Sequence, residues 1–87
     1  MVQVLIPSQL IAYTGGATRV EAAGGTVEEA FDDLDRRYPG LKFRVIDEQD
    51  RIRRHMRIFV GLDEARDVRR ELRAGDELMI FGALSGG

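Results

Sequence analysis

The last two residues of the sequence, Gly86–Gly87, have the plainest chemical capacity in the chain. A carboxylate carried on glycine has no Cβ beside it, so it can thread a narrow channel and take dihedrals closed to other residues. With 10 glycines among 87 residues, composition alone would end a chain in two glycines with a probability of roughly 1%. The other reactive residue types are scarce. Cysteine is absent, which removes disulfides, thiolate metal sites and a thiol nucleophile. His55 is the only histidine, so a zinc site is not expected. Glu28, Glu29, Asp32 and Asp33 are accounted for by the field at the start of a helix and hold no evident acid–base pair. Gly15–Gly16 and Gly24–Gly25 read as turns, since neither continues into a phosphate loop. Chemistry is therefore expected at the carboxylate of Gly87, with Gly86 giving it access.

The elements in front of this tail can be traced from periodicity. Val2, Val4 and Ile6 alternate along a first strand that Pro7 ends. After a loop through Tyr13–Gly16, Val20 and Ala22 alternate along a second strand, Thr18 to Ala23. Thr26 and Glu29 have the spacing of a capping box, and Val27, Ala30, Phe31, Leu34 and Tyr38 form an apolar stripe at helical spacing. Pro39–Gly40 stops this helix. Phe43 to Ile46 is expected to be a short edge strand, followed by a turn at Asp47–Asp50. His55 to Val60 is expected to be a strand, Val68 to Leu72 one short helical turn, and Glu77 to Phe81 the last strand.

This order predicts an α+β domain with a mixed sheet and one main helix packed on one face, the β-grasp arrangement of ubiquitin, with first and last strands parallel in the middle. The domain is expected to span residues 1–81 and the tail 82–87, flexible when no partner holds it. A core of Val4, Val27, Phe31, Leu34, Ile58, Leu78 and Ile80 follows. Because side chains alternate along a strand, Phe59, Met79 and Phe81 must then lie on the open face, with Leu84 at the root of the tail. They are expected to form one partner-binding apolar patch, unless the stretch from Leu41 to Arg54 folds over it.

Composition bounds the rest. A chain of 87 residues with a formal charge of -2, 44% hydrophobic and 32% charged, fits one globular domain and not a general nucleic-acid binder. No apolar run approaches the roughly 20 residues that span a bilayer, and the N-terminus lacks the pattern of a signal peptide. A cytoplasmic protein without membrane attachment is expected. The run Arg51, Arg53, Arg54 and Arg57 reads first as a solvated edge and second as a dock for an acidic partner.

Three stretches carry a resemblance to a known family: Met56–Gly61, Leu72–Ile80 with its Gly75-Asp76-Glu77 turn, and Ala83–Gly87. With Ile6–Pro7, the Tyr13–Gly16 loop and the Thr26-led helix, the chain resembles the MoaD/ThiS family of ubiquitin-like sulfur carriers, and within it the CysO-type carriers of cysteine biosynthesis. Gly82 departs from the family, whose members often carry a proline in that region. The resemblance implies that the chain is not an enzyme and holds no cofactor or metal. It implies that an E1-like adenylyltransferase/sulfurtransferase uses ATP to adenylate Gly87. A sulfur donor then forms a thiocarboxylate, which a downstream sulfur-accepting synthase consumes. The same tail would serve two alternatives: a small subunit of molybdopterin synthase, or a ubiquitin-like protein modifier joined to lysines.

Overall fold

The computed structural model describes residues 1–82. Five strands form one mixed sheet: β1 (Val2–Leu5), β2 (Arg19–Ala22), β3 (Met56–Val60), β4 (Asp63–Ala65) and β5 (Glu77–Gly82), in the spatial order β2-β1-β5-β3-β4. β1 and β5 run parallel, with Val4 opposite Leu78, and every other pairing is antiparallel. The long connection between β1 and β2 carries a 3₁₀ helix, Ser8–Thr14.

The main helix, α1 (Val27–Arg37), starts where the sequence places it. The Thr26 hydroxyl accepts from the Glu29 N–H at 3.2 Å, while the Glu29 carboxylate reaches back to the Gly25 N–H at 2.8 Å. Two further N–H groups of the first turn, those of Val27 and Glu28, donate to the carbonyls of Arg70 and Val68. All the amides that a helix start leaves orphaned in its first positions thus find acceptors, two of them from a distant loop. Gly24 sits just ahead of this cap at φ +156°, and a Cβ there would meet the Ala30 nitrogen at 2.6 Å. Val27, Ala30, Phe31 and Leu34 are fully buried against Val4, Ile58, Leu78 and Ile80, so the expected core is present.

Two local expectations are corrected and one further strand is added. Phe43 to Ile46 is not an edge strand: a second helix, α2 (Leu41–Val45), occupies that stretch. A strand would put Phe43 and Val45 on one face, yet Phe43 is 52% exposed and Val45 fully buried. The helical spacing of Leu41 and Val45 turns both toward the core. Val68–Leu72 forms a turn without a helix, because the Val68 and Arg70 carbonyls are committed to α1. The chain beyond Gly61–Leu62 forms β4, a short strand not anticipated, closing a hairpin onto β3. The turn after Asp47 is present, with the Asp47 carboxylate accepting from the Gln49 and Arg51 amides.

Candidate functional site

Alternation along the two central strands decides what the open face displays. Met56, Ile58 and Val60 of β3 and Leu78 and Ile80 of β5 face α1 and are buried. Phe59, Met79 and Phe81 therefore lie on the opposite face, as expected. Phe59 is directly across from Met79, and the Phe59 and Phe81 rings meet edge to face with centroids 5.6 Å apart. Leu5 of β1 stands opposite Met79 on the other side, extending the patch. The same alternation that places Val4 and Ile6 inside places Leu5 outside, so this residue was readable from the sequence but was not singled out. A shallow recess of about 200 Å³ runs between Leu5, Pro7, Met79 and Phe81.

The patch is uncovered. Phe81 is 49% exposed, and the stretch that could have folded over it packs on the helix side instead, where Leu41, Val45 and Ile46 join the core. Polar pairs frame the open face: Arg19 with Glu77 at 3.3 Å, Arg57 with Glu64 at 3.4 Å, and the Gln3 amide on Glu21 at 3.0 Å. An apolar centre inside a charged and polar rim is the anatomy of a protein-docking surface.

The strand that carries Met79 and Phe81 also leads up to residues 83–87 of the sequence. β5 runs through Gly82, which pairs with Met56. From the 3₁₀ helix, the Gln9 side chain donates to the Gly82 carbonyl at 3.2 Å and packs so closely that a Cβ at residue 82 would collide with it. Gln9 was not anticipated, since nothing in the sequence links positions 73 residues apart. A side chain at residue 82 would have to displace this exposed, flexible amide. Gly86, Gly87 and Leu84 lie outside the described residues. His55 is exposed immediately before β3, next to this exit. Among the described residues no three His, Asp or Glu side chains are grouped to hold a metal ion, and no helix is long and apolar enough to cross a membrane.

A five-stranded mixed sheet with parallel central strands, one main helix across it and a last strand that leads into a glycine-rich end defines a ubiquitin-like β-grasp protein. A family model described as the ThiS family matches residues 4–87, and the chain belongs to that family. It is 31% identical over 91 residues to the sulfur carrier protein CysO of Mycobacterium tuberculosis, covering 99% of this chain and 98% of that protein. Among solved structures it is similar to a chain of the Amycolatopsis orientalis BexX/CysO complex, with 37% identity, a TM-score of 0.94 and complete coverage of both chains. It is also similar to CysO of Mycobacterium tuberculosis, with 29% identity and a TM-score of 0.92, covering 97% of this chain and 100% of that one.

Proposed function

We propose that this chain is a sulfur carrier of the CysO type, and that its reactive group is the Gly87 carboxylate. The observation that carries this is the full-length likeness to CysO carriers, with a family match that runs through the two terminal glycines. In the proposed cycle an E1-like partner supplies ATP. A Gly87 carboxylate oxygen attacks the α-phosphate and releases pyrophosphate, leaving an acyl adenylate. A sulfur donor attacks the acyl carbon and displaces AMP, leaving a thiocarboxylate. A downstream synthase takes that sulfur into cysteine or another sulfur metabolite. The chain itself supplies no acid, base or cofactor. Its contribution is delivery: Phe59, Met79, Phe81, Leu5 and, at the root of the tail, Leu84 seat the domain on each partner, and Gly86 lets the carboxylate pass into the active site.

The test is ATP–pyrophosphate exchange with the cognate activating enzyme, followed by intact-mass measurement. The full chain should support exchange and gain the mass difference of one sulfur replacing one oxygen. A chain lacking Gly87 should melt at the same temperature and support no exchange. Full exchange by the shortened chain would overturn the proposal.

A further inference from the structure

The end of the molecule from which the tail departs carries a second surface of a different kind. Residues 51–57 hold Arg51, Arg53, Arg54, His55 and Arg57 and no acidic residue. The pairing of Met56 with Gly82 puts this stretch alongside the chain's exit from the sheet. Arg44 of α2 is added to it, bordering with Phe43, Arg53 and His55 a recess of about 200 Å³.

Two of these guanidinium groups are held by aromatic rings, not by carboxylates. Arg53 lies 4.4 Å from the centroid of Phe43 and donates from Nε to the Phe43 carbonyl at 2.7 Å. Arg44 lies 5.7 Å from the Tyr13 centroid and donates to its hydroxyl at 2.5 Å. Stacking fixes a guanidinium without cancelling its charge. Asp47 engages Arg51 and Glu64 engages Arg57, but among the described residues Arg44, Arg53 and Arg54 have no carboxylate within ion-pair distance. In a chain whose net charge is -2, a cluster of cations without direct ion pairs, two of them held by aromatic rings, marks a surface suited to an anion.

We propose that Arg44, Arg53 and Arg54, with Phe43 and His55, form an electrostatic dock for a carboxylate-rich surface on the protein that receives the tail. The partner's identity rests on the carrier reading; the chemistry does not. The recess is smaller than the roughly 300–1,000 Å³ of small-molecule pockets, so it fits side-chain carboxylates better than a nucleotide. The link to the apolar patch runs through Arg57, two residues beyond His55, which stands directly opposite Phe81. An acidic rim on the partner would thus meet this cluster as its apolar centre meets Phe59, Met79 and Phe81. Charges so placed steer the encounter and set the register of docking.

Two measurements test this. In the first, Arg44→Glu/Arg54→Glu is compared in pyrophosphate exchange with Arg69→Glu/Arg73→Glu, which changes the charge equally near the other end of β5. The first pair is expected to raise the KM for the carrier about tenfold at low salt with kcat unchanged, and the effect should shrink as salt screens it. Equal effects from both pairs, or a loss in kcat alone, would overturn the dock. The second needs no activating enzyme: a poly-glutamate peptide is titrated into labelled protein and amide shifts are followed by NMR. Shifts should gather on residues 43–57 and vanish in Arg44→Glu/Arg54→Glu, whose unchanged spectrum elsewhere certifies its fold. Shifts spread evenly over Arg36, Arg69, Arg70 and Arg73, or the same amides moved by ATP and not by peptide, would overturn the proposal. If wild type gives no exchange yet binds the peptide at this site, the carrier reading fails while the acidic dock stands.

Discussion

Phe31 and Phe81 lie on opposite sides of one sheet, and their exposure assigns them opposite duties. Phe31 is completely buried between α1 and the strands, whereas Phe81 is 49% exposed. Phe31→Ala should cost about 3–5 kcal/mol in chemical denaturation, since it leaves a cavity that close-packed neighbours cannot fill. Phe81→Asp should cost about 1 kcal/mol or less, yet raise the KM of the activating enzyme about tenfold or more, because buried aromatic anchors dominate docking energies. A Phe81→Asp chain that unfolds would show the patch to be core. Lys42 bears on the alternative modifier reading. It is the one lysine in the chain, and the Asp32 carboxylate holds its ammonium at 2.5 Å. That hydrogen bond raises the Lys42 pKa, against a smaller opposing effect of burial. An amine attacks an activated carboxyl only when deprotonated, so Asp32 shields the sole side-chain amine from acylation by another copy's activated tail. Asp32→Asn should speed acylation of Lys42 by an amine-reactive ester several-fold, counted by peptide mass spectrometry; an unchanged rate would show that Asp32 gives no protection.

Elements that announce themselves in this sequence are those whose signals are local. Thr26 and Glu29 mark the start of α1 by spacing alone, and both form the bonds that spacing predicts. Thr26→Ala should cost about 1 kcal/mol. Gly24→Ala, which combines a left-handed φ with a collision against the Ala30 nitrogen, should cost more than about 1 kcal/mol. Thermal melts of the two variants give the order directly, and a milder effect at Gly24 would contradict the geometry. The same locality explains what was missed. Phe43-Arg44-Val45-Ile46 alternates over too few residues to separate a strand from one helical turn, and only the neighbouring α1 decides in favour of Leu41 and Val45 pointing inward. Val68 has an apolar neighbour pattern suited to a helical turn, but its carbonyl is drawn to the Glu28 amide on another element. The apolar patch was legible because strand alternation is local. The Gln9–Gly82 contact and the stacked arginines were not, because each joins segments far apart in the chain.

At the scale of the whole molecule, two carboxylates hold backbone amides in place, one across elements and one within a turn, and both make the fold sensitive to acid in the same direction. Asp33 of α1 accepts from the Ala23 amide beyond β2 at 3.0 Å and pairs with Arg36 and Arg37 at 2.9 and 2.8 Å. The Ala23 N–H is the main cause that lowers its pKa below the ordinary 3.8, with the two guanidinium groups adding to it against a partial burial that opposes. Asp47 lies below 3.8 as well, chiefly through the Arg51 N–H, with burial opposing and the Gln49 N–H and the charges of Arg51 and Arg53 adding. A carboxylate whose pKa is lower folded than unfolded stabilises the fold above its unfolded value, and that stability is lost as pH falls through the folded value. The melting temperature should therefore stay level from about pH 7 to about pH 5 and drop from about pH 4 downward. Asp33→Asn/Asp47→Asn should melt lower at neutral pH and fall less steeply in acid. Asp47 organises the turn that presents Arg51 to Arg57, so acid should loosen the cationic surface before the core. Amide exchange at Gln49 and Arg51 should then accelerate at a higher pH than exchange at Ile58 and Leu78; simultaneous loss at all four would mean that the two carboxylates fail only when the whole fold does.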